Sequence, residues 1–536
     1  MRDVMQEGLA AGWKHIDASQ LIDDLTLEAD VVIIGSGAGG GVAAELLTQE
    51  GLQVILVEEG PLKSTADFHM RESDAYPQLY QESAARKTAD KAINILQGRC
   101  VGGSTTVNWT SSFRTPEATL RHWHHAHGLN GFSAEAMAPW FAAMEQRLGI
   151  HPWEASPNEN NAILARGARA LGIAAQVIPR NVRGCWNIGY CGMGCPTGAK
   201  QSMLVTTIPA ALAQGATLIS RLRVEQLILD TKHRVHGLKA RAMQANGVHP
   251  GQAHVRIHAR HFVLAGGAIG SPALLMRSRA PDPHGVLGHR TFLHPSLISA
   301  GVFSQRVEGY AGAPQTIYSD HFLEQQPIDG PLGFKLETPP LHPVLYSTTL
   351  QGFAAAHAEK MRDFPHAQVL IALVRDGFHP ESRGGRVRLR SDGSPYLEYP
   401  LESVFWEAAR RAFLAMAEIQ FAAGAGRVTP VHESTAGFSS WAEAKAGIAA
   451  LDLKPLLCRV VSAHVMGGCA MAESAERGVV DQYGRHFQIE NLTVCDGSIF
   501  PTSIGANPQL SIYGLAARNI SRLAAELLGR SLAPSS

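Results

Sequence analysis

The stretch from residue 29 to 58 restricts the folds open to this chain more than any other. Ala29-Asp30-Val31-Val32-Ile33-Ile34 is an apolar run of the length of a buried parallel strand. The turn Gly35-Ser36-Gly37-Ala38-Gly39-Gly40-Gly41 follows, and Val42 to Glu50 has helical periodicity. Val54-Ile55-Leu56-Val57 predicts a second strand that ends at Glu58. Gly35 permits the tight turn, Gly37 lets the main chain approach a pyrophosphate, and Gly40 lets helix and strand pack closely. Amides at the start of the helix face the phosphates. Glu58 stands 18 residues after Gly40, where a carboxylate accepts from ribose hydroxyls. A dinucleotide-binding α/β domain is expected. The pattern by itself does not separate NAD from FAD.

A chain of 536 residues exceeds one simple core, so a second domain is expected. Lys+Arg and Asp+Glu balance at 47 each, which argues against nucleic acid or a polyanionic partner. Asp3, Glu7, Asp17, Asp23, Asp24, Glu28 and Asp30 leave no room for a secretory signal. No apolar run is long enough to span a bilayer. Met5 to Trp13 reads as a packed or frayed arm, with peripheral contact at the inner face of a membrane as the alternative. A cytoplasmic home is the default expectation. Seven cysteines in so long a chain do not make a disulfide framework.

Three further glycine-bearing segments stand along the chain. Gly98-Arg99-Cys100-Val101-Gly102-Gly103-Ser104-Thr105-Thr106-Val107-Asn108-Trp109 is too polar for a core. Ala265-Gly266-Gly267-Ala268-Ile269-Gly270-Ser271-Pro272 follows the apolar strand His261 to Leu264. Asp496-Gly497-Ser498 follows the strand-like Leu492-Thr493-Val494. With the fingerprint, these give four loops able to line one long cofactor. Two more segments lie close by: Ser462-Ala463-His464-Val465-Met466-Gly467-Gly468-Cys469 and Gly505-Ala506-Asn507-Pro508-Gln509-Leu510. Asn507 before Pro508, with an amphipathic run to Leu528, predicts a helix N-cap with proline at the first helical position.

On these motifs the chain, from about residue 29 to 525, resembles the glucose–methanol–choline (GMC) oxidoreductases, FAD enzymes that act mostly on alcohols. "NWTSSFRTP" (108–116), "CGMGCPTGAKQS" (191–202) and "SAHVMGGC" (462–469) are most similar to the long-chain alcohol oxidase/dehydrogenase branch. The resemblance implies a Rossmann-type FAD-binding domain and a second, substrate-binding domain of mixed sheet plus helices, α+β overall. The FAD domain would be discontinuous, with residues 28–298 and 458–532 enclosing the substrate domain at 299–457.

The resemblance also implies roles. Gly35, Gly37, Gly40 and Glu58 hold the ADP half of FAD. Gly102, Gly103, Ser104 and Asn108 lie along the pyrophosphate, ribityl and isoalloxazine. The Val224 backbone touches adenine, and Asp496 and Gly497 meet the ribityl–phosphate region. The helix start at Pro508 and Gln509 sets partial positive charge beside the flavin. Some relatives attach flavin through a histidine just before a tryptophan; here Asn108 precedes Trp109, so non-covalent FAD is expected. His464 would be the base for the alcohol proton, and Asn507 would donate to the alcohol oxygen. An imidazole suits this task because its ordinary pKa lies near working pH.

The expected function is FAD-dependent oxidation of a hydrophobic or long-chain alcohol to aldehyde or ketone. The electron acceptor stays open among oxygen, quinone and cytochrome. One alternative is a multi-subunit sugar or polyol dehydrogenase with an iron–sulfur cluster on Cys185, Cys191 and Cys195, spaced C-x5-C-x3-C. Another is a hydroxynitrile-lyase-like enzyme with structural FAD. No metal site is expected otherwise. His122, His124, His125 and His127 read as a solvated helix end, and His294-Pro295 reads as structural. Leu332, Phe334, Phe353 and Phe413 are candidates for a cavity lining, with ordinary core as the better reading.

Overall fold

The computed structural model describes residues 3–530, among which two eight-stranded sheets form the frame. In the first, Lys14–Asp17, Thr217–Ser220, Val54–Val57, Leu25–Ile34 and Pro250–Leu264 lie side by side in parallel, in that order. Val235–Met243 continues the sheet antiparallel to the first half of Pro250–Leu264, and Leu222–Leu229 follows it. Leu492–Val494 pairs in parallel with the last three residues of that long strand. Val31 to Ile34 and Val54 to Val57 are buried throughout, as parallel strands covered on both faces must be. The Leu25–Ile34 strand starts four residues before the apolar run. Leu25, Thr26, Leu27 and Glu28 alternate, so that end is half-exposed instead of fully apolar.

The register places Val57, Ile34, Leu264 and Val494 at one level. Four chain segments therefore turn at the carboxyl edge of one sheet, where open α/β sheets bind their ligands. The helix Ala38–Gln49 begins inside the glycine turn, ahead of the apolar periodicity that announced it.

The second sheet runs Ile93–Ile95, Val460–Ser462, Ser296–Val302, Ala367–Val374, Phe334–Glu337, Ile317–Ser319, Gln176–Val177, with Arg427–Pro430 also paired to Ser296–Val302. Residues 299–457 supply its centre, but three of its strands come from outside that segment. Arg386–Leu389 and Pro395–Glu398 form a separate hairpin packed on the helix Gly267–Arg277. One face of the large sheet carries Leu297, Leu336, Ala372 and Val374 in a core shared with Phe405, Phe413 and Met416 of the helix Ser403–Ala422. The opposite face sets Lys335 beside Leu373 and Ser296, and Glu337 beside Ile371 and Ile298. This second face points to the site.

Leu332, Phe334 and Phe413 are core, whereas Phe353 is 85% exposed on the segment that crosses this second face. At the other end of the chain, Asp3 caps the helix Val4–Ala10 and accepts from the Ala66 amide at 2.9 Å. Met5 is buried, so this arm is packed. No helix among the described residues is long and apolar enough to cross a membrane. All seven cysteines are free thiols. The last two residues of the expected 458–532 segment lie outside the described residues.

Candidate active site

The four loops at the sheet edge interlock through their backbones. Gly35 has φ +106°, a conformation that side chains disfavour. A Cβ on Gly40 would stand 1.9 Å from the Gly35 carbonyl, and one on Gly39 would stand 1.6 Å from the Cys495 carbonyl. Gly37 is different, because a Cβ there would meet only the Gly103 Cα, at 3.9 Å. The cradle is thus tight beneath and at Gly102 and Gly103, where a Cβ would stand 2.4 Å from the Thr106 hydroxyl and 2.8 Å from the Gly37 Cα, and open at Gly37.

Glu58 is buried at this junction and receives the Ser36 hydroxyl at 2.6 Å, the Ser36 amide at 3.1 Å and the Gly60 amide at 2.9 Å. Gly102 donates in turn to the Ser36 hydroxyl at 3.0 Å. Its carboxylate therefore ties three loops together, and burial raises its pKa. Asp496 does similar work, accepting from Ser271 at 2.5 Å, Gly267 at 2.9 Å and Ser498 at 2.7 Å. It brings the 265–271 turn to Gly497. The Ser104 hydroxyl accepts from Gly98, closing its own loop. Val224 lies on Leu222–Leu229, where its carbonyl accepts from Arg277 at 3.2 Å.

Residues 507–509 join this cradle to a second cluster. Gln509 accepts from the Asn108 amide at 2.7 Å and donates to Ser111 and Ser112. The helix Gln509–Leu527 has Pro508 as its cap residue and no side-chain cap. The expected N-cap role of Asn507 is therefore corrected. Its amide nitrogen stands 3.2 Å from Glu337 Oε2 and 3.5 Å from His464 Nε2. A buried carboxylate draws that amide away from the helix amides.

His464 lies two residues past the end of the strand Val460–Ser462 and is only partly buried. Its Nδ1 lies 3.1 Å from the Nδ1 of His294, and the ring centroids are 5.3 Å apart. His294, read from the sequence as structural, is thus set directly against His464. His294 is fully buried with φ +47°, and its amide and that of Leu293 donate to the Asp376 carboxylate at 3.1 and 3.0 Å. Tyr399 donates to the same carboxylate at 2.5 Å.

Lys335 and Glu337 complete the cluster. Both are buried, 3.9 Å apart, and the Lys335 ammonium sits 3.0 Å from the Phe113 ring centroid. Burial pushes Glu337 up and Lys335 down, each toward its neutral form. Burial, then the Lys335 ammonium, pushes His464 down to about 3. His294 is held well below the ordinary histidine value by burial, then by His464, Lys335 and Arg375. The ordinary imidazole pKa assumed from sequence does not describe this residue. The outcome is a neutral, partly open imidazole beside an amide donor, an arrangement that can take a proton from a hydroxyl while holding its oxygen.

Lys335, Glu337 and Asp376 escaped the sequence reading. Phe334-Lys335-Leu336-Glu337 looks like a strand with one face in water, yet all four residues are buried. The one available signal was two opposite charges two positions apart in an apolar setting.

The cysteine-bearing segment packs against the 98–109 loop. The buried Lys200 ammonium donates to the carbonyls of Thr106, Asn108 and Cys191 at 2.7, 2.8 and 2.6 Å. It clamps the 98–109 loop to the 191–195 loop. Cys191 Sγ accepts from Arg180, Cys185 Sγ from the Asn187 amide, and Cys195 Sγ meets the Thr197 hydroxyl. Among the described residues no three His, Cys, Asp or Glu side chains are grouped to hold a metal ion. His122 and His127 are not simply solvated: His122 packs at 4.9 Å on Phe378, and burial pushes His127 down to about 3.

The GMC oxidoreductase family model matches residues 76–296 and 380–516, in its N- and C-terminal parts. An uncharacterized GMC-type oxidoreductase of Mycobacterium tuberculosis is 31% identical over 505 residues, covering 94% of this chain and 76% of that protein. A long-chain-alcohol oxidase of Arabidopsis thaliana is 26% identical over 517 residues, or 92% of this chain. This chain spans 66% of that oxidase's length. Among solved structures, pyridoxine 4-oxidase from Mesorbium loti superposes with a TM-score of 0.68 at 21% identity, covering 92% of this chain and 98% of that one. At that identity the likeness shows a shared fold.

Proposed function

This chain belongs to the GMC oxidoreductase family, and from that premise we propose that it oxidises an alcohol to an aldehyde or ketone with FAD. The observation that carries the reading is the partly buried His464, whose Nε2 has the Asn507 amide 3.5 Å away, joined through residues 507–509 to the glycine cradle.

The residues present fit a flavin dinucleotide. Gly35, Gly37 and Gly40 with Glu58 would hold the ADP half, with the Val224 backbone near adenine. Gly102, Gly103, Ser104, Asp496 and Gly497 would lie along the pyrophosphate and ribityl chain. Asn108, Pro508 and Gln509 would border the ring. Buried polar atoms without partners, Asn507 Oδ1 and Ser498 Oγ, stand on the segments that would face it. Bound FAD supplies the hydride acceptor. The rest falls to the chain: His464 Nε2 takes the hydroxyl proton, and the Asn507 amide donates to the alcohol oxygen and aims the carbinol hydrogen. Asn108 offers no imidazole for a covalent link and its amide is bonded to Gln509, which supports non-covalent FAD.

Ile298, Ile371 and Leu373 share the sheet face of Lys335 and Glu337, and pack with Tyr346 and Leu341. That cluster is closed core, so the hydrophobic body of the alcohol is inferred from the long-chain-alcohol oxidase likeness. The test is anaerobic mixing of purified protein with a panel of long-chain, short-chain and polyol alcohols while watching flavin absorbance. Bleaching by long-chain alcohols is expected, and flavin that stays oxidised with every alcohol would refute the reading. Acid precipitation should leave the flavin in solution; flavin in the pellet would overturn non-covalent binding.

A further inference from the structure

We propose that His294 is the positioning residue for His464. The two rings share one proton between their facing Nδ1 atoms, and this fixes which nitrogen of His464 is free to act as base. The inference rests on the proposed role of His464 in alcohol oxidation.

Two imidazole nitrogens at 3.1 Å form a hydrogen bond only when one carries a hydrogen and the other does not. Asn507 decides which. Glu337 Oε2 receives the Gln315 amide at 2.6 Å and the Asn507 amide at 3.2 Å, so Asn507 turns its nitrogen, a donor, toward His464 Nε2. A donor facing a second N–H would be repelled. His464 therefore carries its proton on Nδ1, donates it to His294 Nδ1, and leaves Nε2 bare. His294 must then hold its own proton on Nε2, an atom that is buried and without a partner.

That unpartnered N–H and the left-handed backbone both cost free energy, and packing alone requires neither. The Asp376 carboxylate, fastened by Tyr399, holds the Leu293 and His294 amides and so imposes the turn that aims the ring. The charged groups facing the pair are Lys335 and Arg375, both cationic. Burial first, and then Lys335 for both rings with Arg375 for His294, keeps the pair neutral before substrate arrives. In turnover the alcohol O–H bond breaks and its proton forms a bond to His464 Nε2, while bound FAD would supply the acceptor for the carbinol hydride. The Nδ1–H bond to His294 then becomes charge-assisted and stronger.

The experiment uses flavin-loaded full-length protein with His294→Gly and His294→Asn, since both residues tolerate a positive φ. Anaerobic flavin reduction by an alcohol active with the wild type is measured across pH. His294→Gly should slow reduction about 10–100-fold, the loss seen when the partner that orients a metal-binding histidine is removed and taken here as the scale for an oriented base. Substrate KM should hardly move, and added imidazole should restore much of the rate. His294→Asn keeps an oxygen near the Nδ1 position and should recover most of what His294→Gly loses. Wild-type reduction rates in His294→Gly would overturn the proposal, as would equal slowing in both variants with no response to imidazole. His464→Ala is run in parallel: if it reduces at the wild-type rate the base assignment itself fails, whereas slowing confined to His464→Ala refutes only the role of His294.

Discussion

The glycine cradle and the imidazole cluster sit on either side of residues 507–509 and are built in opposite ways. The cradle is closed chiefly by backbone against backbone: the Gly39 and Gly40 positions touch carbonyls of Cys495 and Gly35, and the Glu58 and Asp496 carboxylates tie its loops through local amides and hydroxyls. The cluster is closed by side chains from four distant segments: His294, Lys335–Glu337 and His464 meet because the second sheet orders their strands, and Asn507 reaches them from the start of the helix Gln509–Leu527. A backbone site demands a residue type and so writes itself into the sequence. A side-chain site demands a place, and place is set by the fold.

The sharpest way to break this contrast is to disable chemistry without disturbing the cradle. His464→Ala should retain flavin and slow its anaerobic reduction by alcohol on the order of 10²–10⁴-fold, the range for losing a general base. A wild-type rate would remove His464 from the reaction.

The converse experiment disturbs the cradle alone. Gly39→Ala drives a methyl into the Cys495 carbonyl and should cost about 1–3 kcal/mol of stability, as overpacking of a rigid site does. Gly37→Ala meets open space and should melt near wild type while binding flavin more weakly. Equal melting temperatures for both variants would show that the interlocking is not rigid.

Asn507→Ala should slow reduction about tenfold, the worth of one hydrogen bond of roughly 1.4 kcal/mol. Because this residue caps no helix, the helix-cap penalty should be missing from its thermal melt. A clear loss of helical content would reinstate the capping role.

The smallest effect concerns pH. The protonated form of His464 is disfavoured by burial and then by Lys335, so the neutral base persists down to about pH 3. Flavin reduction should therefore be flat through the neutral range and fall only in strong acid. Lys335→Met removes a nearby positive charge, raises the His464 pKa and moves the acid limb upward. A limb that stays put, or moves down, would separate Lys335 from His464.

How much could be read without the fold follows from this division. The turn at Gly35–Gly41 and the strands at 54–57, 261–264 and 492–494 were all legible, because periodicity and glycine spacing are local properties. The segment 191–202 stood out too, but its use did not: the decisive residue is Lys200, whose three carbonyl partners include two near residue 107. Cys185, Cys191 and Cys195 suggested ligands by spacing, while the sulfurs found separate partners. His294 read as structural because nothing near it in sequence hints at a histidine 170 residues away.

By itself the sequence determined that a dinucleotide-type cradle would form at the carboxyl edge of a parallel sheet, since only glycine permits those turns and approaches. It also singled out His464 and Asn507, through the contexts around them. Tertiary structure alone decided the electrostatics: that Asn507 turns to Glu337 instead of capping its helix, that His464 stays neutral, and that His294 faces it. The reason is physical. A turn needs the right residue at its own position, whereas a pKa and a proton's location depend on burial and on charges that arrive from elsewhere in the chain.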